Sequence, residues 1–209
     1  MSEKESYLKI INHYENCYQQ HGDTSKGMDW PNLEDAILRY KIMLEVIRDK
    51  NAQNTLLDFG CGTGHLYQYI LDNDMKNIVY SGLDISSKFV EVASEKYPKN
   101  LFYNSDILKE GEKIPNFDYI VCNGVFTEKR ELSFEDMWEY CQNMLIALLE
   151  KVEKGIAFNV MSKAVDWERW DLFHLPIDLL VDFMTKKLSR NFIIRNDYGL
   201  YEYTVYLYK

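Results

Sequence analysis

The stretch TLLDFGCGTGHL, residues 55–66, decides how the chain is read. It begins as a buried strand, with Leu56, Leu57 and Phe59 in an apolar run, and then gives up its side chains at Gly60, Gly62 and Gly64. Glycine weakens strands and helices alike, so three at alternate positions must serve something else. In an open α/β sheet the ligand crevice lies outside the carboxyl ends of the strands. Backbone bared of Cβ atoms at that end makes room for a ligand. The spacing is not the dinucleotide fingerprint, because His65 stands where G-x-G-x-x-G wants its third glycine. The G-K-[ST] ending of a phosphate-binding loop is missing too. Asp58 leads the loop, and a carboxylate there suits an ammonium group better than a pyrophosphate.

Outward from this loop the pattern alternates. Strands are expected over 55–59, 78–85, 101–104, 117–122 and 155–162. Helices are expected over 65–71, from the Ser86 cap to Tyr97, and over 133–151, where Ser133 and Asp136 have capping-box spacing. Strands alternating with helices mean crossover connections and a mostly parallel sheet covered on both faces. The tail breaks the rhythm: strand-like runs at 192–196 and 201–208 flank a DYGL turn, so the last strand should run antiparallel. Before the loop, Leu8, Ile11, Tyr14 and Tyr18 give helical spacing over 5–21. Residues 21–31 read as a loop, and Asn32 caps a helix over 33–49. The expectation is one domain over 1–209, with a helical cap in 1–50 and a Rossmann-like core of seven strands in 51–209.

Composition narrows the function. The formal charge of −9 speaks against a broad nucleic-acid footprint, which wants a basic face. Cys17, Cys61, Cys122 and Cys141 form no C-x-x-C pair and no histidine pair has metal-ligand spacing, so neither a metal nor a disulfide is expected. The polar start, MSEKESYLKI, carries no targeting signal, and no apolar run reaches the roughly 18 residues that span a bilayer. A cytoplasmic chain without membrane contact fits these features.

Two further acids follow strand ends. Asp84 in SGLDIS can accept from both hydroxyls of a ribose, and Asp106 in NSDIL from an adenine amino group. With these residues quoted, the chain resembles the class I S-adenosylmethionine (SAM) methyltransferases. DFGCGTG matches that family's first motif, GLDIS its second, SDIL its third, and FDYIVCNGVF its fourth. The resemblance implies Asp58 near the methionine amino group, Gly60, Gly62 and Gly64 under the cofactor, Asp84 on the ribose, Asp106 by the adenine, and Asn123 and Gly124 near the sulfonium. It also groups Cys61, Leu66, Ile85 and Ile107 with the cofactor contacts, and implies S-adenosylhomocysteine as product. A nicotinamide-dependent oxidoreductase on a similar sheet and a non-catalytic SAM-binding protein are the alternatives.

Methyl transfer asks the protein mainly to align acceptor and methyl group and to exclude water, so no loud catalytic motif is expected. The family branches that methylate amino groups of bases carry N-P-P-Y or D-P-P-Y after the fourth strand. This chain has Cys122-Asn123-Gly124-Val125 there, which favours a small soluble acceptor. Three regions offer acceptor residues. The N-terminal segment has His13, Tyr14, His21 and Trp30; in similar enzymes such segments cover the cofactor, and Arg39 of the next helix meets the methionine carboxylate. The segment 161–176 mixes Trp167, Arg169, Trp170 and His174 and reads as a lid. The tail hairpin has Arg195, Tyr198 and Tyr201. Each has a plain structural reading as well: Tyr14 a helix core contact, Arg39 a surface salt bridge, the two tryptophans a closure of the core, Arg195 a partner for Asp197 or Glu202. The FNVMSK…VDWERW…LFHLP…RNDYGLYEYT pattern looks like small bacterial methyltransferases of surface-polysaccharide pathways. It implies O-methylation of a sugar hydroxyl, or of a phosphate or phosphoramidate; a monomer or small homo-oligomer is expected.

Overall fold

The structure is a computed structural model that describes residues 7–209. Seven strands form one sheet in the order β3-β2-β1-β4-β5-β7-β6. They are β1 (Asn54–Phe59), β2 (Ile78–Asp84), β3 (Leu101–Asn104), β4 (Phe117–Phe126), β5 (Val152–Met161), β6 (Asn191–Arg195) and β7 (Glu202–Tyr208). Every pairing is parallel except those of β7, which runs against β5 and β6. The seven-stranded Rossmann-like sheet with an antiparallel last strand is thus as expected. The strand order reverses between β1 and β4, and the crevice at their carboxyl ends is where such sheets bind ligands.

The helices are α1 (Leu8–His21), α2 (Leu33–Leu44), α3 (His65–Asp72), α4 (Ser87–Lys96), the short α5 (Ile107–Glu110), α6 (Phe134–Lys151) and α7 (Ile177–Phe183). Caps set their starts. The side chains of Asn32, Ser86, Asp106 and Ser133 each accept from a backbone N–H of the first turn. Alternation along the strands divides the core in two. Leu57, Tyr203, Val205 and Leu207 face α6 and α7, whereas Leu56, Tyr206 and Tyr208 face α2 and α3.

Several boundaries differ from expectation. Residues 5 and 6 of the first expected helix lie outside the described residues. The second helix stops at Leu44, not at 49. Val46 and Ile47 are nonetheless buried, held by turn bonds to Met43 and Leu44, so apolar spacing persists there without a helix. β4 runs on through Asn123-Gly124 to Phe126 across a register shift, because fully buried Phe126 pairs again with Val160. The sequence reading also passed over α7, whose Leu180 and Phe183 close the core with Met184 of the π-helical turn that follows.

Candidate active site

The glycine loop turns at the end of β1. Gly60, Gly62 and Gly64 all have left-handed backbone, with φ of 75°, 53° and 83°. A Cβ on Gly60 would stand 2.8 Å from Val125 Cγ2, and one on Gly62 equally close to Met28 Sδ. The backbone N–H groups of Gly60 and Cys61 donate to Leu83 O, which ties the loop to β2.

Asp84, at the end of β2, holds the loop from below. Its Oδ2 accepts from Gly62 N and its Oδ1 from Ser86 N, both at 2.9 Å. Asp58 accepts from the Tyr80 hydroxyl at 2.8 Å. Both carboxyls are buried. Burial pushes Asp58 up to about 7, opposed by the Tyr80 bond and reinforced by the charge of Asp84. Burial also raises Asp84 to about 6, against the pull of its backbone donors. Asp106 caps α5 and accepts from the Tyr7 hydroxyl at 2.6 Å.

β4 supplies the opposite wall. Asn123 Oδ1 is buried without a hydrogen-bond partner among the described residues. Gly124 donates its N–H to Asn159 Oδ1 at 2.8 Å and has φ of 82°. A Cβ there would meet Trp30 Cζ2 at 2.6 Å, so only glycine lets the indole lie against this turn.

All these groups converge on one cavity. From the first motif it is lined by Asp58, Gly60, Cys61, Gly62 and Leu66, and from the second and third by Asp84, Ile85, Asp106 and Ile107. Asn123 and Gly124 line it from β4, and Tyr14 and Trp30 from the cap. Gly64 is not a lining residue; it caps α3. The sequence reading missed Tyr7, Ile10 and Met28. Tyr7, Ile10, Ile11 and Tyr14 repeat at helical spacing and all line the cavity, a stripe that begins one residue before the expected one. The cap is pinned over the site: Ser86 Oγ donates to Glu15 at 2.6 Å, and Asp23 accepts from Thr63 and from Lys96.

The remaining sequence candidates lie outside the cavity lining. Arg39 donates to buried Glu202 at 2.8 Å and sits 4.4 Å from the Trp30 ring centroid, so it backs Trp30. His13 pairs with Asp29 at 2.8 Å. His174 is buried, with Nδ1 on Ser162 O at 2.6 Å and Nε2 accepting from Arg169 N at 3.3 Å. Arg195 is taken up by Glu45 and Asp197 on the outermost strand, and Tyr201 is 71% exposed. Glu202, an expected partner of Arg195, belongs to Arg39 instead. Trp167 and Trp170 do not close the core, being 74% and 67% exposed; Phe173 and Leu175 do so.

Beside Tyr14 the segment 161–176 folds against the end of β4. Arg130 contacts Glu128 and Asp171, Arg169 clamps Asp171, and Phe173 N donates to Thr127 O. Burial, and then the charge of Glu128, push the Tyr14 phenol above its ordinary range, so it stays protonated, and its hydroxyl donates to Gly124 O at 3.5 Å. Burial likewise raises Glu128.

A family model described as a methyltransferase domain matches residues 57–150. That span runs from β1 to α6 and holds all four motif regions. A candidate methyltransferase of Mycobacterium tuberculosis is 26% identical over 154 residues, covering 73% of this chain and 91% of that protein. Among solved structures, the magnesium protoporphyrin IX methyltransferase of Synechocystis PCC 6803, with bound SAM, is similar with a TM-score of 0.64. It is 12% identical and covers 100% of this chain and 98% of its own. The N-methyltransferase NodS of Bradyrhizobium japonicum, in complex with S-adenosylhomocysteine, also gives 0.64, at 13% identity and 98% coverage of both chains. The fold is the Rossmann-like fold of the class I methyltransferases.

Proposed function

We propose that this protein is a SAM-dependent methyltransferase that acts on an oxygen of a small polar metabolite. The observation that carries the reading is the convergence on one cavity of buried Asp58 and Asp84, the bared glycine loop and Asn123 Oδ1, which has no partner among the described residues. This donor set fits SAM. Two buried carboxylates are costly to ionise, and a ligand carrying an ammonium group and ribose hydroxyls offsets that cost, whereas a pyrophosphate would face them with like charge. Asp84 would accept from the ribose, Asp58 would face the ammonium group, and Asp106 would meet the adenine. Asn123 Oδ1 offers an acceptor for an N–H or O–H brought by the ligand. Trp30, seated on Gly124 and backed by Arg39, would exclude water from the reacting side. SAM supplies an activated sulfonium methyl when bound; the protein aligns the acceptor for in-line attack.

The acceptor side lies, on this reading, beside Tyr14. Its hydroxyl would orient the acceptor oxygen, and exposed Arg169 would meet an anionic group. We infer a sugar hydroxyl, or a phosphate or phosphoramidate, of a surface-polysaccharide precursor. The support is the resemblance of the segments from Phe158 to Thr204 to small methyltransferases of such pathways. The protein would work in the cytoplasm as a single domain, monomeric or a small homo-oligomer, without nucleic acid or membrane. Among the described residues no helix is long and apolar enough to cross a membrane. The test is S-adenosylhomocysteine release from SAM over a panel of nucleotide sugars, sugar phosphates and amines. Release with a hydroxyl or phosphate acceptor is expected. Release with amines alone would overturn the O-methyl assignment, and binding of SAM without turnover of any acceptor would favour a non-catalytic SAM-binding protein.

A further inference from the structure

We propose that His13, Cys17 and Asp29 form a binding site for a zinc-class divalent cation in the cap, next to the cofactor cavity but separate from it. Sequence spacing alone could not show the site, since it has one histidine and its acid comes from another element. His13 and Cys17 stand four residues apart on α1, which places them on one face of the helix, one turn from each other. Asp29 arrives from the left-handed residue that ends the turn Lys26–Met28. The three ligand atoms lie within 4.8 Å of one another. His13 Nε2 is 2.8 Å from Asp29 Oδ2 and 3.7 Å from Cys17 Sγ, so both neighbours address the same ring nitrogen.

Tetrahedral coordination with bonds of ~2.0–2.3 Å sets donor atoms roughly 3.3–3.7 Å apart. The histidine–cysteine separation already matches that spacing, and the histidine–aspartate pair needs to open by less than about 1 Å. One imidazole, one thiol and one carboxylate form a borderline donor set of the kind zinc takes, and three protein ligands leave a fourth position open. The charges of Asp29 and Glu128 lie near Cys17, and Arg130, the opposing charge, is itself held by Glu128 and Asp171. His13, Cys17 and Asp29 are all partly exposed, so an ion can enter. The thiol proton leaves to solvent as the metal–sulfur bond forms. None of the three lines the cofactor cavity, so this inference stands apart from the methyltransferase reading.

Cobalt(II) and zinc(II) are the probes, added to the full chain freed of metal by a chelator. Cobalt should bind one per chain with a thiolate charge-transfer band and tetrahedral visible bands, and zinc should displace it. Cys17→Ser should abolish the charge-transfer band, and Asp29→Asn should weaken binding at least tenfold, with unchanged far-ultraviolet circular dichroism. Cys61, Cys122 and Cys141 are buried, so Cys17 is the thiol within reach. Zinc should therefore also slow alkylation of Cys17 in the unmutated chain, a readout that does not depend on a variant folding. Absence of cobalt binding, a charge-transfer band that survives Cys17→Ser, or alkylation unaffected by zinc would each overturn the proposal and leave His13–Asp29 as a plain ion pair.

Discussion

In the proposed cofactor site Asp84 carries the most weight, because one carboxylate both fixes the glycine loop and lines the cavity. Replacing it with alanine removes a charge-assisted hydrogen bond of roughly 1.5–3 kcal/mol, so the dissociation constant for SAM should rise about 10- to 100-fold by calorimetry. An unchanged constant would remove Asp84 from the ribose. Asp58 sets the pH dependence. Its folded pKa of about 7 lies above an unfolded value near 3.9, so the folded apo protein holds this proton more tightly and loses stability as pH rises between those values. Binding of a cationic ligand runs the other way, since it needs the carboxylate. SAM affinity should increase roughly 20-fold from pH 5.5 to 7.5 if the ligand brings the pKa below that window. Asp58→Asn should make this profile shallower, leaving the share that Asp84 contributes through its own raised pKa of about 6, raise the apo melting temperature and weaken SAM binding. A flat profile in the unmutated protein would show that Asp58 does not meet a cation. At Gly124, alanine would force a Cβ into Trp30 at a positive φ. The expected loss is about 1–3 kcal/mol of stability, with weaker SAM binding, read from thermal melts with and without ligand.

At the scale of elements, the clamp between α2 and β7 holds the wall behind Trp30. Arg39 and Glu202 are 13% and 1% exposed, and Glu202 also accepts from Asn159 Nδ2. Breaking a buried pair by removing one charge costs about 3–5 kcal/mol. Glu202→Gln should therefore lower the melting temperature by about 2–4 °C per kcal/mol lost, and an unaltered melt would show that the pair only breaks even. The elements legible in the sequence were those with local signals. Asn32, Ser86 and Ser133 announce their helices because a short polar side chain caps a backbone N–H wherever the chain goes next. Gly60, Gly62 and Gly64 announce the loop because few side chains tolerate that backbone. Long-range contacts were not legible. The pairing of Arg195 with nearby Asp197 was legible, but not its second partner Glu45, 150 positions away, and Arg39 looked like a cofactor contact because Glu202 is 163 away. Trp167 and Trp170 sit in a segment that mixes aromatic and charged residues, and Phe173 and Leu175 fill the core and leave both indoles outside. The trio of His13, Cys17 and Asp29 has the same character, since a turn brings Asp29 back onto α1.

Across the whole molecule, seven strands deliver three acids to one edge of the sheet, and the N-terminal cap closes over them. Asp58 and Asp84 lie at the carboxyl ends of β1 and β2 and Asp106 follows β3, so their convergence is a consequence of parallel strands with crossover helices rather than of nearness in sequence. A chain of net charge −9 that gathers buried carboxylates in the crevice at the carboxyl ends of its strands is suited to a ligand carrying positive charge and hydroxyls. Calorimetric titration with S-adenosylhomocysteine, which keeps the ammonium and ribose groups and cannot turn over, tests this directly, with NAD as the comparison. The account predicts one site per chain, saturable by S-adenosylhomocysteine and weakened by Asp84→Ala, and no heat with NAD. A folded protein that ignores S-adenosylhomocysteine, or that takes NAD in its place, would contradict it.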